Sequence, residues 1–359
     1  IESYVISAGG KLENQINLDG GKHIKFDVCS KNIFTVFSRV VKLKKILKEI
    51  KPDIIHVRSR VPAWLIYFAN KSLKIKVVST VHGFNSVGFY SSIMQKADAV
   101  ICVSNSIKEY IQKHYKTSES KITVIPRGID LELFNPKNID NDFINNFKKE
   151  FQLENKFIVS SVGRVTQLKD YETFIKAISL IKKEMPNAVA LIVGGVRSDK
   201  EDYLNSLKNL IKELNLEDNI TFTGSQSKIE QIYALSDVIV SSSKKPESFG
   251  RAVAEAISMD KPVIATNHGG VKDIIIENEN GFTIHKNCDP IPEQEIVVVL
   301  SYQNLENYVT NGKLYLFYNE KQFKNKNFEL VDYRVHAGER EVKETTLASI
   351  NDSDNSDSY

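Results

Sequence analysis

Cysteine is scarce in this sequence, and long apolar runs are absent. The three cysteines among 359 residues, Cys29, Cys102 and Cys288, are far apart and odd in number, so neither a disulfide framework nor a zinc-ligand spacing can be drawn. No stretch of 18 apolar residues occurs, and residues 1–10 resemble neither a signal peptide nor a methionine start. These absences favour a reducing compartment and predict a cytoplasmic protein, in solution or peripheral on the inner face of the plasma membrane.

A strong excess of one charge is also missing. The formal net charge is +3, which gives no indication of nucleic-acid binding. Lysines do cluster on one predicted helix, residues 36–50, at Lys42, Lys44, Lys45 and Lys48. Such a cluster is most often a solvated face, and the alternative is peripheral contact with an anionic membrane.

Motifs of several other protein classes are absent. The sequence contains neither a GxxxxGK[ST] loop nor a GxSxG elbow, which excludes the phosphate-loop ATPases and the serine hydrolases. Asp140-Asn141-Asp142 imitates an acidic metal motif, but it follows no predicted strand and is interpreted as a helix cap. We therefore expect no metal site and no cofactor.

Short runs rich in valine and isoleucine alternate with helical patterns, which is typical of parallel sheets with crossover helices. The predicted strands are residues 3–6, 53–57, 76–81, 99–103, 121–125, 157–162, 188–193, 219–222, 237–241, 262–265 and 281–284. A turn-rich segment near residues 126–146 divides them. The pattern predicts two tandem Rossmann-like, doubly wound α/β domains that face a cleft, residues 1–137 and 138–290. Residues 291–359 form a divergent tail whose end is expected to be disordered.

The most informative motif follows predicted strand 237–241 and runs Glu247-Ser248-Phe249-Gly250-Arg251-Ala252-Val253-Ala254-Glu255. A loop here leads into a helix, whose first backbone NH groups and positive dipole end favour a phosphate. Ser248, Phe249 and Gly250 are therefore candidate phosphate ligands. Glu247 and Glu255 suit recognition of hydroxyl groups on the same ligand. The alternative is a capping glutamate and an ordinary surface glutamate.

A second motif opens the second predicted domain. Gly163 and Arg164 directly follow strand 157–162, and Lys169 lies five residues further on. Two cations past the carboxyl end of a strand can neutralise a diphosphate, the arginine by its fork and the lysine as a point charge. The alternative is a pair of solvated loop residues.

The first predicted domain contributes polar residues at two strand ends. His82 ends strand 76–81 beside Gly83, where its ring can hydrogen-bond a hydroxyl or a phosphate oxygen. His56 and Arg58 end the preceding strand and form a polar rim that can meet a second substrate. The alternative for His82 is a buried histidine with satisfied hydrogen bonds.

Together these motifs resemble the large bacterial family of group 1 glycosyltransferases, also called family 4, which have the two-Rossmann GT-B fold. Glu247 and Glu255 match the E-x7-E pair of the family, and Gly163-Arg164 with Lys169 matches its diphosphate-binding pair. Further matches are residues 53–56, 80–83, 124–130 and 269–270. The resemblance covers about residues 1–290.

The resemblance implies a retaining, metal-independent enzyme that moves a sugar from a nucleotide-diphosphate-sugar donor to a lipid-linked or polysaccharide acceptor in envelope polysaccharide or lipopolysaccharide assembly. Arg164 and Lys169 would hold the donor diphosphate, Glu247 would contact the sugar hydroxyls, and Glu255 the ribose. His82 would approach the transferring sugar from the acceptor-side domain, which makes His82 and Glu247 the catalytic candidates. The departing diphosphate itself would serve as the base for the acceptor hydroxyl.

Three features depart from the family pattern. The chain starts in what resembles the family's second strand, so the first strand and its glycine-rich loop are expected to be missing. Asp170 stands where glycine is usual, and the helix pattern expected after Asp289-Pro290 is not recognisable. Two alternatives therefore stay open: a truncated or frame-altered remnant that binds nucleotide-sugar without turnover, and a sugar-nucleotide epimerase on the same double-Rossmann plan.

Overall fold

The computed structural model describes residues 1–276 and 279–284. Its strands are β1 (Tyr4–Ser7), β2 (Lys22–Lys25), β3 (Ile54–Val57), β4 (Lys76–Val81), β5 (Ala99–Cys102), β6 (Ile122–Val124), β7 (Phe157–Val162), β8 (Ala188–Val193), β9 (Ile220–Gly224), β10 (Val238–Ser241), β11 (Val263–Thr266) and β12 (Gly281–Ile284). Its α-helices are α1 (Glu13–Leu18), α2 (Val36–Ile50), α3 (Arg60–Ala69), α4 (Phe89–Ser92), α5 (Asn105–Tyr115), α6 (Asn141–Glu150), α7 (Tyr171–Glu184), α8 (Glu201–Glu213), α9 (Ile229–Leu235) and α10 (Arg251–Ser258).

The strands form parallel sheets, as the valine-rich and isoleucine-rich runs predicted. The second domain has a six-stranded sheet in the order β12-β11-β10-β7-β8-β9, and the first has a four-stranded sheet in the order β3-β4-β5-β6. All six residues of β8 are buried, because a parallel strand inside such a sheet is covered on both faces. The predicted α/β fold with two Rossmann-like domains is confirmed.

The amino-terminal strands differ from the simple sequence pattern. β1 pairs in parallel with β2 in a separate two-stranded sheet. β2 was not among the predicted strands, because its four residues, Lys-His-Ile-Lys, contain no apolar run that periodicity could detect. Its pairing depends on the partner strand and not on its own composition.

The segment between the two sheets packs on the second one. Phe134 is 3% exposed and lies in a cluster with Tyr233 and Ile239, its ring 6.0 Å from that of Tyr233 in an edge-on arrangement. Asp140 caps α6, since its side chain accepts a hydrogen bond of 2.9 Å from the Phe143 amide, which confirms the helix-cap interpretation. The boundary at residues 137/138 stays a prediction, and the tail of residues 291–359 lies outside the described residues.

The two domains touch beside the cleft. Ser106 Oγ, in the first turn of α5, donates a hydrogen bond of 2.8 Å to the Gly269 carbonyl. The amide of Asn105 donates one of 2.6 Å to Asp273 Oδ2. Phe249 and Ala254 of the second domain also belong to the buried cluster of the first. The carboxyl ends of β5 and of the second sheet therefore approach each other.

The burial of Phe134 generates a stability prediction. We expect Phe134→Ala to lower the free energy of unfolding by about 3–5 kcal/mol, because it removes a buried ring and leaves a cavity against Tyr233. Urea unfolding measures this value. Phe37→Ala, at a position that is 81% exposed, is the matched control and should change it by less than about 0.5 kcal/mol. Equal losses in the two variants would contradict the packing described here.

Candidate functional site

The candidate site lies where the strand order of the six-stranded sheet reverses. β7 and β10 are neighbours at this point, although β8 and β9 lie between them in the chain. The connections that leave the two strands run in opposite directions, which opens a crevice at their carboxyl ends. Gly163 follows β7, and the segment from Ser242 to Glu247 follows β10. The topology therefore brings together the two motifs that the sequence had placed 78 residues apart.

An ion pair between Lys169 and Glu247 occupies this crevice. Lys169 Nζ lies 2.5 Å from Glu247 Oε1, with 23% and 20% of the respective side chains exposed. Ser243 Oγ donates a hydrogen bond of 2.7 Å to the same oxygen. Burial alone would raise the pKa of Glu247, but Lys169, with the Ser243 hydrogen bond and the nearby His268, outweighs it and holds that pKa below its ordinary value. Glu247 is therefore an ionised carboxylate at neutral pH.

The backbone of Glu247 is held against the next loop. Glu247 and Gly269 form an isolated parallel bridge, and the Gly270 amide donates a hydrogen bond of 2.7 Å to the Glu247 carbonyl. Gly269 has a φ of +74°, and a Cβ atom there would lie 2.3 Å from the Glu247 carbonyl oxygen. Only glycine fits this position without strain. The close approach fixes where Glu247 stands relative to the first domain, because Gly269 also contacts Ser106.

Glycine has a similar use beside Lys169. A Cβ atom on Gly163 would lie 2.7 Å from Lys169 Cε, so the absent side chain leaves room for the lysine to cross the end of β7. Arg164 comes next and is exposed, and it takes part in no ion pair between residues of the described ranges. The structure therefore joins Lys169 to Glu247 and leaves Arg164 facing solvent.

Helix α10 begins at Arg251, directly after the loop motif. Gly250 is the N-cap residue with a φ of +100°, and within the described residues no side chain caps this end. Phe249 is buried at 6% exposure, whereas Ser248 is half-buried. The amino-terminal end of α10 thus presents backbone NH groups and the positive end of the helix dipole, as the sequence predicted.

Glu255 lies on α10 and is engaged with its own neighbours. It is 7% exposed. Its Oε1 accepts a hydrogen bond of 2.6 Å from Arg251 Nε, and its Oε2 accepts one of 3.0 Å from Tyr233 Oη. Burial, together with this carboxylate, raises the pKa of Tyr233. Glu255 is thus a buried, paired carboxylate and not the surface charge that the alternative reading proposed.

His82 faces the second domain from the end of β4. Its Nε2 lies 3.1 Å from Arg58 Nε, and its Nδ1 lies 3.2 Å from Arg127 Nη2. Burial lowers the pKa of His82 to about 4, with further lowering by Arg58, Arg127 and His56, so the ring is neutral at pH 7. His56 Nε2 lies 2.7 Å from Thr80 Oγ1, and burial also lowers the pKa of His56.

An open cleft of about 630 Å³ lies beside His82. Its lining comprises Arg58, His82, Arg127, Gly128 and Arg251. The sequence had indicated Arg58 and His82, but Arg127 and Arg251 were not among the predicted site residues. Arg127 follows β6 and Arg251 starts α10. A position just past a strand end or at a helix start could therefore have identified both as candidate site residues from the sequence.

Comparison with known proteins gives the family. The family profile described as "Glycosyltransferase Family 4" matches residues 2–133, and the profile "Glycosyl transferases group 1" matches residues 142–311. A curated relative, the UDP-Gal:alpha-D-GlcNAc-diphosphoundecaprenol alpha-1,3-galactosyltransferase of Escherichia coli, is 30% identical in an alignment of 304 residues that covers 76% of this chain and 74% of that protein. The chain belongs to the group 1 (family 4) glycosyltransferases.

Further similarities agree with this family. Spore coat protein SA of Bacillus subtilis (strain 168) is 29% identical over 257 residues. This match covers 67% of the chain and 66% of the relative, so the chain spans just under two thirds of that protein's length. The crystal structure of a glycosyltransferase from Rickettsia africae ESF-5 has a TM-score of 0.73 and 34% identity, and covers 80% of this chain and 76% of its own. The GT-B fold expected of this family is therefore confirmed.

The described residues offer neither a metal cluster nor a membrane-spanning helix. Across residues 1–276 and 279–284, no group of three or more His, Cys, Asp or Glu side chains is arranged to hold a metal ion. Over the same ranges, no helix combines the length and apolarity needed to cross a bilayer. The roles of the individual glycosyltransferase residues, donor-binding, acceptor-side or catalytic, stay predictions.

The Lys169–Glu247 pair generates a prediction about stability and pH. Lys169→Met leaves the Glu247 carboxylate buried without its partner, so the free energy of unfolding at pH 7 should fall by about 1–3 kcal/mol. Because the pKa of Glu247 is depressed in the folded chain, its stabilising contribution exists above the unfolded pKa and is lost as the pH falls through the folded pKa. The difference between wild type and variant, measured by urea unfolding, should therefore shrink toward pH 4.

The double variant Lys169→Met/Glu247→Gln is the control. It removes both charges, so it should recover part of the stability that the single variant loses at pH 7. A loss that is the same at pH 7 and pH 4, or a double variant no more stable than the single one, would show that the pair does not act as described.

Proposed function

We propose that this chain transfers a sugar from a nucleotide-diphosphate-sugar to a lipid-linked or saccharide acceptor, with retention of configuration and without a metal ion. The observation that carries the proposal is the Lys169–Glu247 pair at the strand-order reversal of the second domain. A cation beside a carboxylate suits a ligand with both phosphate and hydroxyl groups, because the cation can bind the phosphate and the carboxylate can accept hydrogen bonds from the hydroxyl groups. Membership of the glycosyltransferase family supplies the reaction class.

Donor binding would rearrange the ion pair. Arg164 and Lys169 would hold the diphosphate, since a phosphate close to Lys169 Nζ competes with Glu247 Oε1 for that cation. Glu247 Oε1, still bonded to Ser243, would then accept a hydrogen bond from a sugar hydroxyl. The amides of Ser248, Phe249 and Gly250 at the start of α10 add to the phosphate site. Glu255 would take the ribose hydroxyls by exchanging one of its present partners for them.

The chemical step would occur on one face of the sugar. The bond from the anomeric carbon to the diphosphate oxygen breaks, and the acceptor oxygen forms its bond to the same carbon on the same face. The acceptor proton passes to an oxygen of the departing diphosphate. Stabilisation of the negative charge on that leaving group is the main catalytic task, and Arg164, Lys169 and the α10 amides would perform it. His82, neutral at pH 7, would contact the transferring sugar.

The name of one relative supports the lipid-linked acceptor. The Escherichia coli relative acts, by its name, on GlcNAc-diphosphoundecaprenol, which is lipid-linked. An acceptor of this kind places the reaction at the cytoplasmic face of a membrane, in the assembly of an envelope polysaccharide or lipopolysaccharide. His56 and Arg58, at the end of β3, would line the acceptor side of the cleft.

The proposal is tested by incubating the purified chain with UDP-, GDP- and ADP-sugars, with and without EDTA. We expect donor turnover that EDTA leaves unchanged, because Arg164 and Lys169 supply the positive charge. Arg164→Ala and Lys169→Ala should each weaken nucleoside-diphosphate binding by about 1.5–3 kcal/mol and leave nucleoside binding unchanged. Glu247→Gln should lower turnover more than nucleoside-diphosphate affinity.

Lys176→Ala is the matched control, since Lys176 is exposed on α7 and its loss should alter none of these values. Binding of the donor without turnover would favour the remnant over the active enzyme. Loss of binding in EDTA would refute metal independence, and equal weakening of nucleoside and nucleotide would refute the diphosphate role of the two cations.

We also propose peripheral contact between α2 and an anionic membrane. Phe34, Phe37 and Val41 are 91%, 81% and 53% exposed, at or near the start of α2. Lys45 and Lys48 continue the same stripe of the helix at intervals of three and four residues and are exposed as well. A solvated face needs no phenylalanines, whereas apolar side chains flanked by lysines fit the interface of an anionic bilayer.

This contact predicts lipid-dependent binding. The chain should sediment with vesicles that contain phosphatidylglycerol and less with vesicles of phosphatidylcholine alone. Phe34→Ser/Phe37→Ser should weaken the binding by about tenfold or more, because two aromatic side chains no longer enter the bilayer. Leu12→Ser/Leu18→Ser is the control, since these leucines are 70% and 80% exposed on or beside α1. Binding that the phenylalanine variant keeps, or that the leucine variant loses equally, would contradict the assignment to α2.

A further inference from the structure

Three arginines meet at the cleft between the domains. Arg58 follows β3, Arg127 follows β6, and Arg251 starts α10, and all three line the same cleft with His82. We call Arg58, Arg127 and Arg251 the arginine cluster. Two of its members come from the first domain and one from the second, so the cluster exists only where the two domains face each other.

The positive charge of the arginine cluster is not balanced. Arg251 Nε donates to Glu255 Oε1 at 2.6 Å. Arg58 and Arg127 form no ion pair with any residue of the described ranges, and the cleft lining contains no carboxylate. Two positive charges are therefore left over in one cleft, where like charges repel each other. Such an arrangement is stabilised by an anion that enters it.

The contacts of His82 show the same deficit. Each of its two ring nitrogens faces a guanidinium NH group, from Arg58 at 3.1 Å and from Arg127 at 3.2 Å. A neutral imidazole has one lone pair and one NH group, so it accepts a hydrogen bond from only one of these donors. The other arginine faces the NH group of the ring, to which it cannot donate a hydrogen bond. At least one guanidinium group thus has donors directed into the cleft without an acceptor on His82.

We propose that the arginine cluster binds a phosphate or diphosphate group of the acceptor, beside the hydroxyl that receives the sugar. Guanidinium groups bind phosphate oxygens through paired NH donors. Two uncompensated positive charges match the charge of a phosphate ester better than that of a single carboxylate. The acceptor is accordingly a phosphorylated sugar or a lipid-linked phosphosugar and not a neutral glycan end.

The location assigns this anion to the acceptor. The inference rests on the proposed function, in which the donor diphosphate binds Arg164, Lys169 and the start of α10 on the second domain. Arg58 and Arg127 belong to the first domain and flank His82, one at each ring nitrogen, and Arg251 is the one member of the arginine cluster on the second domain. A phosphate held by Arg58 and Arg127 would therefore be bound by the first domain, whereas the proposed donor diphosphate is bound by the second.

The test uses inorganic phosphate as the probe. The full chain is saturated with whichever of UDP, GDP or ADP binds most tightly, and phosphate is then titrated while the ¹⁵N signals of His82 are followed by NMR. We expect saturable phosphate binding that shifts the His82 signals. In Arg58→Gln/Arg127→Gln this binding should weaken by about tenfold or more, because charge-assisted hydrogen bonds are lost, while the affinity for the nucleoside diphosphate should stay within about twofold.

Lys176→Gln/Lys183→Gln is the matched control. It removes two positive charges from exposed positions of α7, away from the cleft, and should leave phosphate binding unchanged. The four substituted residues are exposed, and circular dichroism of each variant checks that it folds. If the control weakens phosphate binding as much as the cluster variant does, the effect is one of net charge and the inference is wrong.

Two further results separate the inference from the proposed function. If Arg58→Gln/Arg127→Gln weakens the nucleoside diphosphate as much as the phosphate, the arginine cluster belongs to the donor site and the inference is overturned. If the wild-type chain binds phosphate at His82 but none of the three nucleoside diphosphates, the proposed function fails while the anion site stands. Absence of phosphate binding in a chain that does bind the nucleotide overturns the inference alone.

Discussion

The backbone contact between Glu247 and Gly269 is the constraint on which the rest of the site depends. It requires a residue without a side chain at Gly269, because a Cβ atom would lie 2.3 Å from the Glu247 carbonyl oxygen. The same glycine accepts a hydrogen bond from Ser106 of the first domain. One short segment therefore sets the position of a carboxylate on one domain and touches the other domain directly. A shift of this segment would move Glu247 and loosen the contact between the domains together.

The charges of the cleft fall into two groups that behave differently. Lys169 and Glu247 satisfy each other, with Ser243 as a third partner, so this part of the site is stable without a ligand. Within the part of the chain that the structure describes, Arg58 and Arg127 form no ion pair, and the neutral ring of His82 can accept a hydrogen bond from only one of them. When a ligand binds, Lys169 and Glu247 would exchange their ion pair for contacts with the ligand. Arg58 and Arg127 would instead gain contacts that they lack in the free protein. This difference follows from burial and pairing and not from residue type.

Both groups stand at the carboxyl ends of parallel strands. The strands within each sheet are parallel, so their carboxyl ends lie along the same edge. The loops that follow these ends carry the polar residues. The two domains face each other at these ends, held by the α5 contacts to Gly269 and Asp273. Under the proposal that Arg58 and Arg127 bind the acceptor, substitutions in these loops would change the acceptor while the sheets stay the same.

The sequence by itself determined the alternation of strands and helices, because apolar periodicity and strand-end glycines are local signals. It also indicated Glu247, Lys169, His82 and the start of α10, which lie in loops that directly follow predicted strands. Tertiary structure alone decided which of these loops meet. Strand order joins Lys169 to Glu247 in the second domain and Arg127 to His82 in the first, and domain packing brings Arg251 to the cleft beside His82. The tertiary structure also pairs the polar strand β2 with β1 and buries Glu255 against Tyr233. Contacts between residues that are far apart in the sequence produce no local hydrophobic periodicity, so the sequence pattern did not indicate them.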